Sequence, residues 1–270
     1  MPQWENDPLS SFLADAARNE RVSSLNFPDI FAQVQRTHSA LKSLAEITEN
    51  NRDIALVVPR ILMARASAAF LAATRLGLAG HTVEAHMVLR GVIEASWYAI
   101  HIAMDPNPPS RVHVWLRRGE NDDTRRLCRR EFHPDKVEPT YRTADPVTAA
   151  VLEKLYDGMI EWGAHPNEQG ILAAITSNVT SGGLVLNVHL LSNSPVLIKV
   201  ALKRTIEVGI GILKTFGLIF PERVRLTGLD SEVERLIAST NALFSDARPA
   251  EPEADTIWLP HRPNDANRSD

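Results

Sequence analysis

The chain has 270 residues, enough to bury a substantial core in one large or two small domains. Hydrophobic residues make up 44% and charged residues 23%, which excludes wholesale disorder and fibrous repeats. A formal charge of -4 argues against a protein that coats nucleic acid, and a single cysteine excludes both an internal disulfide and a Cys-rich zinc module.

The first residues lack a basic stretch followed by an apolar one, so no signal peptide is expected. The glycosylation-like triplets at Asn178 and Asn267 are then chance matches. Behind Pro28, the spacing of Phe31, Val34, Leu41 and Leu44 predicts a helix over 28–47. Residues 53–78 are a long Ala-rich segment that begins or kinks at Pro59 and stops at Gly77 and Gly80. A second long helix runs from His81 to Met104, and the short loop between the two predicts an antiparallel pair. Shorter helices are expected at 110–118 and 121–132, and an amphipathic one from Pro146 to Trp162, ended by Gly163.

The period then changes. Ile171, Ala173 and Ile175 on one side of Thr180-Ser-Gly-Gly183, and Leu184, Leu186, Val188 and Leu190 on the other, predict a β-hairpin. After Ser194-Pro195 comes a long apolar helix to about Phe220, and a last helix covers 230–244. Residues 247–270 hold four prolines and alternate acids with arginines, the composition of a disordered tail, with a docking segment at Trp258 as the alternative. The uncharged run between Glu168 and Lys199 is broken by polar residues, a Gly pair and Pro195, so no membrane span is expected.

Several common chemistries are absent: the chain has no phosphate-binding GxxxxGK[ST], no HExxH, no EF-hand loop and no GxSxG elbow. Gly209-Ile-Gly211 falls inside a helix rather than after a strand, so it is no dinucleotide fingerprint. Arg117, Arg118, Arg125, Arg126, Arg129 and Arg130 crowd one region. They form either a solvated face laced with pairs such as Asp122–Arg126 or a phosphate-contacting patch for nucleic acid. Cys128, between Leu127 and Arg129, has arginine neighbours that favour a thiolate.

On helix 81–104, His86, Arg90, Glu94, Trp97 and His101 fall within a sector of about 80°, and much of the remaining circumference is apolar or small. They are read as a structural ion pair on a half-exposed face or as a polar pocket between helices. For the pocket, Arg90 and Glu94 should be mostly buried, with His101 on the same cavity wall. His165 and Asn167, in the loop after Gly163, should approach that wall. No metal is expected, since His86 and Glu94 are about 12 Å apart along the helix, and no cofactor is indicated.

Segment 59–104, with Val88-Leu-Arg-Gly-Val-Ile-Glu94-Ala-Ser-Trp-Tyr98, resembles a group of uncharacterised bacterial helical proteins. Trp115-Leu-Arg-Arg118 and the His165-Pro-Asn167 loop share the resemblance. More distantly the helix pair is similar to HEPN-type bundles, many of them ribonucleases of toxin and phage-defence systems. Their motif, an Arg and a following His with four to six residues between them, is matched at Arg75–His81 and Arg126–His133, about as often as random placement gives. The expectation is an all-α, mostly antiparallel bundle over 1–246 with a β-hairpin at about 171–191 and a tail over 247–270. The resemblance implies a HEPN-like binding or regulatory protein of a bacterial defence or stress system. A metal-independent ribonuclease and a small-molecule-binding protein are the alternatives. The protein is expected to be cytoplasmic and homodimeric, through the apolar helix 195–220 or the hairpin edges, with a protein or RNA as a further partner.

Overall fold

The structure is a computed structural model that describes residues 7–164, 168–180 and 182–245. Helix α1 (Pro8–Asn26) starts at Asp7, whose carboxylate accepts from the Leu9 and Ser10 amides at 2.8 and 3.0 Å. The sequence gives little warning of it, because α1 buries only Ala16 and Ser23 and leaves Leu9, Leu13, Val22 and Leu25 exposed. Helix α2 (Pro28–Thr48) follows, with Pro28 at its first position.

Helices α3 (Val57–Ala79) and α4 (Thr82–Ala103) form the expected pair. Pro59 sits in the first turn of α3, where its missing N–H costs nothing. Gly80 closes the helix at φ 96°, and His81 N donates to Leu76 O at 2.9 Å, so the chain reverses within two residues. The α3 segment, from Ile54 to Ala79, is long and apolar enough to cross a membrane, but it packs against α1, α2, α4 and α10 inside the bundle. About 33% of its most apolar stretch is buried there, and that packing is compatible with a water-soluble fold.

Helices α5 (Ser110–Leu116), α6 (Asp122–Glu131), α7 (Pro134–Ala144) and α8 (Pro146–Met159) wrap the C-terminal half of α4. Asn121 and Thr124 cap α6 reciprocally, and Asp145 caps α8 through the Val147 and Thr148 amides. Helix α7 is not signalled by the sequence, because Pro139 lies within it. It is held by Tyr141, which is fully buried and whose hydroxyl meets Thr215 Oγ1 at 2.8 Å. A π-type turn, Ile160–Ala164, extends α8, and a short helix α9 (Glu168–Leu172) precedes the hairpin.

Strands β1 (Ile175–Thr180) and β2 (Gly183–Val188) pair antiparallel, from Ile175 opposite Val188 to Thr180 opposite Gly183. The hairpin is shorter than the expected 171–191. Ile171 belongs to α9, Ala173 to a turn, and Leu190 lies beyond the last strand residue. Alternation of apolar residues continued into these flanks, but Glu168 opens a helical turn that overrides it.

Helix α10 (Pro195–Ile219) is the centre of the molecule and touches α2, α3, α4, α8 and α12. Ser194 caps it, as its sequence predicts. Gly209 and Gly211 let neighbours close in on it: a Cβ at Gly209 would lie 2.6 Å from Thr37 and 2.7 Å from Phe70. The apolar excess of this helix is therefore spent on the core rather than on a dimer face, and Val196 is its only large apolar side chain left exposed. Helices α11 (Pro221–Leu226) and α12 (Leu229–Leu243) close the fold, and the buried amide of Gln33 joins α2 to α12 through Leu236 O and Thr240 Oγ1. The expected tail at 247–270 lies outside the described residues.

Candidate functional site

The polar stripe on α4 divides among three environments. At its N-terminal end His86 is buried, its Nδ1 lies 2.6 Å from Thr82 O, and its ring stacks on Trp162 at 6.4 Å. Its Nε2 has no hydrogen-bond partner among the described residues, and burial holds the imidazole below its usual pKa, so it is neutral.

In the middle, Arg90 Nε donates to Glu94 Oε1 at 3.0 Å and to the Tyr156 hydroxyl at 3.2 Å, while that hydroxyl donates to Glu94 at 3.0 Å. The Arg90 guanidinium lies over the Tyr156 ring at 5.2 Å, and Trp97 packs against the same ring at 4.8 Å. Burial and then the Glu94 charge push the Tyr156 hydroxyl up. These groups were expected to be mostly buried on a cavity wall, yet the Arg90 and Glu94 side chains are 29% and 39% exposed and line none of the principal cavities. The reason is local. Tyr156 of α8 covers the pair from one side and satisfies both partners, which leaves no room for a cavity and no need for deeper burial.

At the C-terminal end His101 is only 1% exposed and belongs to a different cluster. Its Nδ1 meets Thr140 Oγ1 at 2.8 Å, and its Nε2 lies 3.4 Å from Glu131 Oε1 without the alignment of a hydrogen bond. Arg111 and Lys136 converge on the same carboxylate at 3.0 and 2.8 Å, and Arg111 also donates to the His101 carbonyl. Burial, reinforced by Arg111, drives the His101 pKa down to about 4. The cluster is a strut tying α4 to α5, α6 and α7. His165 and Asn167 lie outside the described residues, but Trp162 and Gly163 at the end of α8 reach His86 and Val83 rather than the Arg90 pair.

The arginine patch is largely a solvated face. Arg117 pairs with Glu120, Arg125 with Asp122 and Arg126 with Asp123, each at 2.9 Å and three residues apart. The expected Asp122–Arg126 pair does not form, since both acids sit one turn earlier than their partners at the closer spacing. Cys128 is buried, and burial pushes its thiol up despite Arg118, so the expected thiolate is overturned.

An apolar-walled cavity lies elsewhere, at the hairpin end. A cleft of about 640 Å³ is bounded by the first turns of α4 (Thr82, Val83, Met87), by Val188 of β2 and by Leu197 of α10. Ser192 N donates to Gly80 O at 2.8 Å, and a Cβ on Gly80 would lie 2.6 Å from Ser192 O, so glycine there lets the chain leaving the hairpin seat on the α3–α4 turn. His189 closes one side, its Nε2 at 2.7 Å from Thr176 Oγ1. Sequence reasoning missed this cleft because its walls are mostly small or single aliphatic residues from segments far apart in the chain. The hairpin above it carries Val179, Leu184, Leu186 and Val188 in exposed positions, on a stretch with no charged residue between Glu168 and Lys199. Among the described residues no group of three or more His, Cys, Asp or Glu could hold a metal ion. Compared with protein-family models, with curated proteins and with solved structures, the chain matches none.

Proposed function

We infer that the chain is a helical binding or regulatory protein that takes an uncharged, largely apolar ligand in the cleft between α4, α10 and the hairpin. One observation carries this reading: the 640 Å³ cleft falls in the size range of small-molecule sites and combines aliphatic walls with a few polar groups, among them Thr82, Thr176, His189 and Asn193, while its one charged residue, Glu84, is half exposed to solvent. The uncharged probe N-phenyl-1-naphthylamine tests it. Its fluorescence should rise saturably with the protein, and Leu197→Arg should abolish the rise while the far-ultraviolet dichroism stays unchanged. A probe response indifferent to Leu197→Arg would overturn the reading.

In this reading the protein is cytoplasmic and works as a homodimer through the hairpin. Both β2 faces are exposed, both strand edges are free of other described strands, and no charge, proline or bulge protects them, the devices that keep edge strands apart. An uncharged edge selects an uncharged partner, and a second copy offers the same strand about a twofold axis. The α3–α4 pair supports the HEPN-like relationship and a role in a bacterial defence or stress system. Ribonuclease chemistry is the weaker reading, because Arg75 and Arg126 each face an acid, Glu20 at 2.8 Å and Asp123 at 2.9 Å, in exposed pairs that a phosphate would have to displace. Incubation with total RNA in EDTA should leave the RNA intact.

A further inference from the structure

The six arginines between 117 and 130 fall into two sets. Arg117, Arg125 and Arg126 are each committed to a carboxylate three residues away. Arg118, Arg129 and Arg130 have no ion-pair or hydrogen-bond partner among the described residues. The acids of α6, Asp122 and Asp123, stand in its first turn, out of reach of its end. The carboxylate at that end, Glu131, is taken by Arg111 and Lys136. Guanidinium charge is therefore in local excess.

Arg118 and Arg129 line a cleft of about 330 Å³ between the C-terminal half of α4, α5 and α6. Its remaining walls are the aromatic Tyr98, Trp115 and Phe132, with Tyr98 and Phe132 edge to face at 5.1 Å, together with Cys128, His133 and Pro134. The Tyr98 hydroxyl has no hydrogen-bond partner among the described residues. Burial pushes that hydroxyl and the Cys128 thiol up, and the Glu94 charge adds to the rise at Tyr98, while the Arg118 charge opposes both. Two uncommitted guanidiniums suit a dianion, since each can present a fork of donors to phosphate oxygens. The flat walls suit a ring, stacked or edge-on. The volume is at the lower end for ligand sites, which suits a small molecule.

We propose that this cleft binds a small aromatic phosphate, its ring against Trp115 and Phe132 and its phosphate oxygens on Arg118 and Arg129, with the Tyr98 hydroxyl as a further donor. The site is separate from the apolar cleft at the hairpin and stands without it.

Calorimetric titration of the full chain with phenyl phosphate, adenosine monophosphate and inorganic phosphate tests the proposal. An aromatic phosphate should bind at least about tenfold more tightly than inorganic phosphate, and Arg118→Gln or Arg129→Gln should each weaken it about tenfold. Arg125→Gln and Arg126→Gln, at committed positions on the same helix, should leave it unchanged. The preferred ring, phenyl or adenine, identifies the source. Equal binding of phenyl phosphate and inorganic phosphate, or indifference to Arg118→Gln and Arg129→Gln, would each overturn the proposal.

Discussion

Phe70 and Phe216, in the middle of the bundle, are fully enclosed, whereas Leu186 and Val188 on the hairpin stand more than half in water. The residue types are equally apolar, and only the first pair contributes to the stability of an isolated chain. In the middle, α3, α4 and α10 pack against each other and their inward side chains find neighbours on all sides. At the hairpin end two strands stand alone, and a two-stranded sheet is marginal in water unless something covers it. Apolar residues kept where they do not stabilise the monomer point to contact with something else.

Substitutions can break or sharpen this contrast. Phe216→Ala should have the largest effect, about 3–5 kcal/mol of lost stability in urea unfolding, because a fully buried ring leaves a cavity. A loss under about 1 kcal/mol would mean that the centre is not packed as described. Next in size is a pH effect from His101. Its folded pKa of about 4 lies below the unfolded value of about 6.5, so the folded state binds fewer protons. The neutral ring's contribution is complete above about pH 6.5 and is lost as the pH falls toward 4, about 2 kcal/mol of it by pH 5. His86 acts in the same direction. Unfolding measured at pH 7 and pH 5 should show this loss, and His101→Gln should flatten it.

Tyr156→Phe should cost about 1 kcal/mol, the worth of hydrogen bonds in a half-exposed triad, and far less than stranding a fully buried charge. Leu186→Lys should have the smallest effect, within about 0.5 kcal/mol for the dilute monomer, since its side chain is already in water. The same substitution should halve the mass seen by light scattering at tens of micromolar. An unaltered dimer would place the contact away from the hairpin.

The sequence made α2, α3, α4, α10 and α12 legible, because each has a wide apolar face and punctuating Pro or Gly residues. Helix α1 was hidden by its shallow seat, and α7 by Pro139, which the buried Tyr141 outweighs. In the candidate site, helical spacing brought Arg90 and Glu94 together correctly. It could not supply Tyr156, Thr140 or Glu131, which arrive from other helices and decide how deeply each group is buried. Nor could spacing separate committed arginines from free ones, which depends on a one-residue choice between neighbours three and four positions apart.

The central place of α10 also bears on how the chain is made. The pair α3–α4 is complete at Ala103, but the helix that covers it begins only at Pro195. At roughly 5–20 residues per second, about 5–20 s of synthesis separate the two. Throughout that interval the faces of α3 and α4 that α10 covers stay bare, although α1, α2 and α5 to α8 are already made. A nascent chain arrested before residue 195 should therefore be a chaperone client, and its release without α10 should yield aggregates rather than a smaller folded protein.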